Sequence, residues 1–146
     1  MKYLNEFRMT VESKSVNESF VRGTVAAFVA QLDPTLEEIA DIKTAVSEAV
    51  TNCIVHAYAD CVGKIYIHTS VYDDNMIKIK IRDKGCGIAD IKQARTPLFT
   101  TSGGERAGLG FAVMESFCDK VYVRSKPGTG TTVTLIKQIG GRAEND

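Results

Sequence analysis

Two short runs of alternating apolar residues, separated by an acidic turn at residues 73–75, constrain the fold of this 146-residue chain most strongly. Successive side chains of a β-strand point to opposite faces of a sheet, so each run predicts a strand with one buried face. The turn between them predicts a hairpin. The alternating positions are Ile65, Ile67, Thr69 and Val71, then Ile77, Ile79 and Ile81. An apolar sheet face of this kind requires a covering layer of helices.

The segment before the hairpin predicts a first amphipathic helix. Ser15 and Glu18 have the spacing of a capping box, in which two side chains satisfy the free backbone N–H groups of a helix start. The helix is predicted to run to about residue 32, where Asp33 and Pro34 end it. Its predicted inward side consists of Phe20, Ala27, Phe28 and Leu32.

A second, longer helix is predicted from Thr35 to about residue 57. Thr35 and Glu38 repeat the capping-box spacing, and apolar residues then recur with the period of an α-helix. The predicted core stripe is Ile39, Ile42, Val46, Ala49, Val50 and Cys53.

The remaining segments complete the predicted architecture. Strands are predicted at residues 4–12, 120–125 and 131–139, a short helix at 89–94, an irregular segment at 96–110 and a helix at 111–117. The sum is an α+β fold, a two-layer α/β sandwich in which helices cover one face of a mainly antiparallel mixed sheet. Residues 1–139 are expected to form a single domain, followed by a disordered tail at 140–146.

Composition excludes several function classes. The 18 Lys and Arg residues balance 18 Asp and Glu residues, so no overall basic field favours general binding of nucleic acid. No apolar run is long enough to span a membrane, and no signal-peptide pattern is present. The four cysteines form no CxxC pair. We therefore expect a cytoplasmic protein.

Two polar motifs interrupt the predicted core elements. Glu48, Asn52 and His56 stand four residues apart on the second helix, so they form a polar stripe. Asp83 follows a strand directly and precedes Gly85 and Gly87, which allow the backbone to approach a flat ligand. A carboxylate at this place can accept a hydrogen bond from an exocyclic amine such as that of adenine. Taken singly, the first motif is better explained as a solvated helix face, and a plain turn with a solvated carboxylate is the alternative interpretation of the second.

Two glycine-rich motifs follow. Residues 100–110 combine hydroxyl groups, an arginine and four glycines before a helix start, where free N–H groups suit phosphate oxygens. Residues 128–133 open the last strand and place Thr131 with its core-facing side chains, so its hydroxyl needs a partner. A flexible surface loop and a hairpin turn are the alternative interpretations.

The order of these four motifs resembles the Bergerat-type ATP-binding fold of gyrases, heat-shock chaperones, histidine kinases and mismatch-repair ATPases. The residues at 48–52 (EAVTN) and 97–101 (PLFTT) are similar to those of the anti-sigma-factor serine kinases of sporulation. The resemblance also includes residues 17–20 and 25–34 and extends over nearly the whole chain.

The resemblance implies roles for individual residues. Asn52 would bind a Mg²⁺ ion that bridges the phosphates of ATP or ADP, and Glu48 would act as general base for a serine hydroxyl. Asp83 would bind the adenine amine, with support from Gly85, Gly87 and Thr131. A lid over the phosphates would comprise Thr100, Thr101, Gly108, Leu109 and Gly110, and Arg106 would lie near the terminal phosphate or a docked partner.

The implied function is that of an ATP-dependent serine kinase and anti-sigma factor. Such a protein holds a sporulation sigma factor inactive and phosphorylates a serine of an anti-anti-sigma factor. The opening strand and first helix are expected to form a homodimer surface. A non-catalytic nucleotide-sensing module and the catalytic domain of a histidine kinase are the alternatives. The second is disfavoured because the two histidines, His56 and His68, both lie inside predicted elements.

Overall fold

The computed structural model describes residues 2–85 and 106–140, and for residues 106–109 the backbone alone. In chain order the elements are β1 (Tyr3–Glu12), α1 (Val16–Val29), α2 (Leu36–Asn52), β2 (Lys64–Tyr72), β3 (Met76–Asp83), α3 (Arg106–Phe117), β4 (Lys120–Lys126) and β5 (Gly130–Gln138). The strands form one sheet in the order β1-β2-β3-β5-β4, and each neighbouring pair is antiparallel. The expected α+β fold is confirmed. None of the helices within these ranges is long and apolar enough to cross a bilayer.

The hairpin prediction is confirmed by the core. The isoleucines at 65, 67, 77, 79 and 81 are at most 2% exposed and form one cluster with the inward residues of α1 and α2. The intervening side chains of the same strands lie on the opposite face of the sheet, which no described helix covers. Burial of a complete strand face against helices gives this fold its hydrophobic stabilisation.

The predicted inward side of α1 is only partly confirmed, because Phe28 and Leu32 pack against the core but the other two predicted residues are exposed. The buried residues are Val21, Val25, Ala26 and Val29, whereas the Phe20 side chain is 55% exposed and Ala27 is also exposed. Three β-branched residues spaced four apart form a narrow stripe that fits the sheet closely. Phe28 is half-buried and packs edge-on against the Phe7 ring, with centroids 4.7 Å apart. After Val29 one 3-10 turn (Ala30–Leu32) ends the helix, near the predicted residue.

One predicted capping box is confirmed and the other is wrong. Thr35 Oγ1 accepts from the Glu38 N–H at 3.0 Å, and Glu38 Oε1 accepts from the Thr35 N–H at 2.8 Å. Ser15 makes no side-chain cap hydrogen bond, because its backbone is already helical (φ −53°, ψ −35°). Glu18, its expected partner, instead forms an ion pair with Arg22 at 2.9 Å.

Two helix boundaries differ from the predictions. The α-helical part of α2 ends at Asn52, and Cys53–Ala57 form a π-helical turn. The helix expected at residue 111 begins at Arg106, so residues 106–110 are not irregular. Packing of α3 on α2 outweighs the low helix propensity of its two glycines, about 1 kcal/mol each. The predicted short helix at 89–94 lies outside the described residues.

The end of the predicted domain is tied to α2. The Gly140 N–H donates to Glu38 Oε2 at 2.8 Å, and the Ile139 side chain is buried. Gly140 belongs to the tail that was expected to be disordered, and the rest of that tail, residues 141–146, lies outside the described ranges.

The two serine/threonine positions at the helix starts provide a matched stability test. We expect Thr35→Ala to lower the free energy of unfolding by about 1 kcal/mol, because it removes a formed cap. Urea denaturation followed by circular dichroism measures this change. Ser15→Ala should leave the urea midpoint within error, and equal losses in both variants would contradict the difference between the two helix starts.

Candidate functional site

Asn52 lies at the junction between α2 and the π-helical turn. Both the nitrogen and the oxygen of its side-chain amide are buried, and neither has a hydrogen-bond partner in the described part of the chain. A buried polar group without a partner costs about 1–3 kcal/mol. π-helical turns frequently occur at functional sites, where they change the direction of a helix. The Asn52 amide is therefore placed to meet a group from outside the chain.

The backbone of Gly110 in α3 lies directly against this amide. A Cβ atom at Gly110 would stand 3.0 Å from Asn52 Nδ2, 3.2 Å from Asn52 Oδ1 and 3.4 Å from Glu48 Oε2. Any side chain at this position would crowd the two polar groups of α2. The glycine therefore keeps open a small space lined by an amide and a carboxylate, one helical turn apart.

Asp83 is the second polar group of the site. Its side chain is 5% exposed, and Oδ1 accepts from the backbone N–H groups of Gly85 at 2.9 Å and Thr131 at 3.2 Å. The Cys53 thiol donates to Oδ2 at 3.7 Å. Burial raises the pKa of the Asp83 carboxyl, although these hydrogen bonds act in the opposite direction. Burial also raises the pKa of the Cys53 thiol, which keeps this group a neutral donor.

The start of β5 supports Asp83 from the other side. Thr131 is 8% exposed, and its hydroxyl shares a 2.7 Å hydrogen bond with the Ser125 hydroxyl. The buried hydroxyl thus has a partner inside the chain, and Thr131 contacts Asp83 through its backbone. Gly130 has a φ of 120°, and a Cβ there would stand 2.2 Å from the Asp83 carbonyl oxygen. Only a glycine permits this close approach of β5 to the end of β3.

The loop after β3 is held against the π-helical turn. A Cβ at Gly85 would stand 2.3 Å from the carbonyl oxygen of Ala57. The Tyr58 hydroxyl accepts from the Lys84 N–H at 2.7 Å and donates to the Lys64 carbonyl at 2.8 Å. One tyrosine thus links the end of β3, the start of β2 and the turn that follows Asn52.

The structure brings five of the predicted residues into two adjoining groups. Asn52, Glu48 and Gly110 form one, and Asp83 and Thr131 form the other. The two groups are adjacent because Asn52 and Cys53 are consecutive in the chain. The Asn52 side chain lies beside Gly110 in the first group, and the Cys53 side chain contacts Asp83 in the second. Gly85 borders the second group, Arg106, Gly108 and Leu109 belong to α3 by their backbone, and Gly87, Thr100 and Thr101 lie outside the described residues.

Three supporting residues were missed at the sequence level. Cys53 was assigned to the apolar stripe, and its hydrogen bond to Asp83 depends on a contact 30 residues away in the chain. Tyr58 carried no motif. Gly130 belongs to the motif interpreted through Thr131. It opens β5 beside the end of β3, and a glycine at the first position of a strand is the signal that indicates it.

The polar side chains at this site suit Mg²⁺. The described residues contain no cluster of three or more His, Cys, Asp or Glu side chains that could hold a metal. Mg²⁺ in phosphate-binding sites takes one or two protein oxygens and completes its shell with phosphate oxygens and water. The Asn52 amide oxygen, buried without a partner in this part of the chain and lying beside Glu48, matches that requirement.

Comparison with known proteins identifies the class to which this fold belongs. Residues 11–137 match the family model of the histidine kinase-like ATPase domain. The RsbU and RsbW domains of Rv1364c from Mycobacterium tuberculosis superpose with a TM-score of 0.69 at 22% identity, over 93% of this chain and 33% of that one. The histidine kinase domain of the Erythrobacter litoralis EL346 blue-light activated histidine kinase superposes with a TM-score of 0.57 at 20% identity, over 84% and 61%. These structures show that the fold is shared.

More similar sequences narrow the assignment. The anti-sigma F factor of Caldanaerobacter subterraneus subsp. tengcongensis is 57% identical over 141 residues, covering 96% of this chain and 98% of the relative. The anti-sigma F factor of Bacillus subtilis is 50% identical over 137 residues, covering 92% and 93%. The chain belongs to the anti-sigma F factor family of histidine kinase-like ATPases.

The space beside Gly110 provides a direct test of the site. We expect Gly110→Ala to lower the affinity for Mg²⁺–ATP about tenfold, or about 1.4 kcal/mol, because the new methyl group crowds the Asn52 amide. Isothermal titration calorimetry measures the affinity. Gly23→Ala in α1, where a Cβ meets nothing within 4 Å, is the matched control and should bind like the wild type. Unchanged affinity in Gly110→Ala would contradict the assignment.

Proposed function

We propose that this protein is an ATP-dependent serine protein kinase and an anti-sigma factor. It would hold a sporulation sigma factor inactive and phosphorylate a serine of an anti-anti-sigma factor. Membership of the anti-sigma F factor family supports binding of a sigma factor. The polar site between α2, α3 and the sheet supports the kinase activity. A sigma-factor ligand would place the protein in the cytoplasm, where transcription takes place.

The main observation that supports a nucleotide site is the buried side-chain amide of Asn52, which has no hydrogen-bond partner among the described residues. Asn52 would hold Mg²⁺ through its side-chain oxygen, and the ion would supply positive charge to the phosphates. Gly110 would leave the room that this arrangement needs. A bound ligand would repay the cost of a buried amide without a partner.

Asp83 would select the adenine base. A carboxylate has about four lone-pair positions, and the hydrogen bonds from Gly85, Thr131 and Cys53 occupy three of them. The remaining position can accept from the exocyclic amine of adenine. Gly85 and Gly87 would give the base room beside the backbone.

Glu48 would act as the general base. It lies one helical turn before Asn52, at a rise of about 6 Å, on the side that faces Gly110. A carboxylate is a weak base at neutral pH, so Glu48 would act chiefly by its position beside the serine hydroxyl. Phosphoryl transfer needs mainly alignment and charge stabilisation; Glu48 would contribute to the first and a metal ion held by Asn52 to the second.

The start of α3 would form part of the phosphate lid. The first four N–H groups of a helix have no partner within the helix and attract anions. In α3 these groups belong to residues 106–109, so Arg106, Gly108 and Leu109 would contact phosphates through the backbone, together with the hydroxyl groups of Thr100 and Thr101.

The exposed apolar residues of α1 support a homodimer. Val16 is 73% and Phe20 is 55% exposed, and they stand four residues apart on the helix. β1 is an edge strand that also exposes Tyr3 and Leu4. We therefore propose that α1 and β1 contact a second copy of the chain.

A phosphotransfer assay with radiolabelled ATP and a purified anti-anti-sigma factor tests the kinase proposal. Glu48→Gln should retain ATP binding and lose transfer by about 10²-fold or more, which is the range for a general base. Asn52→Ala should instead lose Mg²⁺-dependent ATP affinity. This difference between the two variants distinguishes the base from the metal ligand.

Other results of this assay would contradict the proposal. ATP binding without transfer in the wild type would indicate a non-catalytic nucleotide-sensing module. Phosphate that appears on this chain itself, stable to base and labile to acid, would indicate a histidine kinase. A Glu48→Gln rate equal to that of the wild type would remove Glu48 from the mechanism.

The proposed dimer is tested by sedimentation. Phe20→Ser should raise the dimer dissociation constant about tenfold, because burial of a phenylalanine contributes about 1.5–3 kcal/mol when complete. Val62→Ser is the control, since Val62 is similarly exposed (58%) but lies outside α1 and β1. Equal dissociation constants for both variants and the wild type would exclude Phe20 from the interface.

A further inference from the structure

The open face of the sheet, on the side away from the helices, is strongly basic. Side chains at alternate positions of the strands share this face, and the strand register defines their rows. Its cations are Arg8, Lys64, Lys78, Lys80, Arg82, Lys120, Arg124 and Lys126. Its carboxylates are Glu6 and Glu12, both on β1. In a chain with no net charge, one face of the sheet therefore carries a surplus of six positive charges.

The cations on the β1 side of this face form ion pairs, whereas those on the other side do not within the described chain. On the β1 side, Glu6 pairs with Arg8 and His68, and Glu12 pairs with Lys64. On the other side, no Lys or Arg of β3 or β4 forms an ion pair within the described chain. These charges remain close together although their mutual repulsion is unfavourable. Negative charges of a bound partner would offset this repulsion.

The unpaired cations form two columns. Lys78, Lys80 and Arg82 lie on β3, and Lys120, Arg124 and Lys126 lie on β4. β5 runs between the columns and presents Thr132, Thr134 and Ile136 on this face. Thr132 lies in register with a cation of each column, Thr134 with Lys80, and Ile136 again with a cation of each column. Since neighbouring strands are about 4.8 Å apart, the columns are about 10 Å apart.

The surface between the columns is concave. The whole depression has a volume of ≈ 910 Å³, and both columns contribute to its lining. The depression extends over all five strands, and within it the hydroxyl groups of β5 lie between the β3 cations and Arg124 of β4. An extended polypeptide directs successive side chains to opposite sides, so its acidic residues would reach both columns.

We propose that this face, the basic face, binds an extended acidic segment of a partner protein along β5. The carboxylates of that segment would pair with the β3 and β4 cations, and the threonines would supply further hydrogen bonds. The inference is independent of the proposed kinase activity, because Asn52 and Asp83 lie on the helix side of the sheet.

Other occupants fit the basic face less well. A second copy would bring two equally charged faces together, which charge repulsion opposes. Single-stranded nucleic acid requires successive aromatic rings for base stacking. Tyr66 is instead covered by Arg82 and Lys84, whose charged groups lie 5.9 and 5.0 Å from the ring centre. Tyr122 is exposed, but it is the single aromatic residue of β4, so it offers no succession of rings. A bilayer surface does not enter a concavity of this shape.

Fluorescence anisotropy with a labelled oligo-glutamate peptide tests the proposal without nucleotide. A length of about ten residues spans the nine residues of β5. We expect saturable binding that weakens when salt is raised from about 0.05 M to about 0.3 M. Lys80→Glu and Arg124→Glu should each raise the dissociation constant about tenfold, since each replaces an attraction by a repulsion.

Lys43→Glu on α2 is the matched control, because it changes the net charge equally on the helix layer. It should bind the peptide like the wild type, and thermal unfolding establishes that each variant is folded. Lys80→Gln, which removes the charge without reversing it, should give a smaller loss. The proposal is overturned if the peptide does not bind, or if Lys43→Glu loses as much affinity as Lys80→Glu. Tighter binding of an oligothymidylate of the same length, or of phosphatidylglycerol vesicles, would also overturn it.

Discussion

The buried carboxyl group of Asp83 is the interaction on which the rest of the site depends. It accepts hydrogen bonds from the loop after β3, from the start of β5 and from the first residue of the π-helical turn. Without this carboxyl group, the backbone N–H groups of Gly85 and Thr131 and the Cys53 thiol would lose these hydrogen bonds inside the protein, which is unfavourable. Because Cys53 follows Asn52 directly, the same hydrogen bonds determine where the Asn52 amide lies.

The two faces of the sheet carry different chemistry. On the helix side, an apolar core surrounds a few buried polar groups, and Asn52 makes no hydrogen bond in the described chain. Proteins commonly accept such a loss of stability at functional sites. On the open side, cations separated by threonines face solvent with few partners. One sheet thus supports a small enclosed site and a broad charged surface, because alternate side chains of each strand point in opposite directions.

Much of the fold follows from local patterns. The isoleucine alternation predicted the hairpin, and the Thr35 and Glu38 pair predicted the start of α2. Local rules failed where several patterns were possible. The predicted inward side of α1 included Phe20 and Ala27, which are exposed, whereas a stripe of three valines is fully buried. Glycines indicated an irregular segment before residue 111, yet packing against α2 keeps residues 106–110 helical. In each case a tertiary contact outweighed a local preference.

The sequence by itself determined the secondary-structure types, the layer arrangement and the polar residues available for a nucleotide site. These depend on periodicity and residue chemistry, which are local. Only the tertiary structure decided which of those residues meet. Asp83 and Thr131 are separated by 48 positions, and Gly110 approaches Asn52 from another helix. The composition likewise does not predict the basic face, because a balanced total charge does not show how strand register places cations on one side of the sheet.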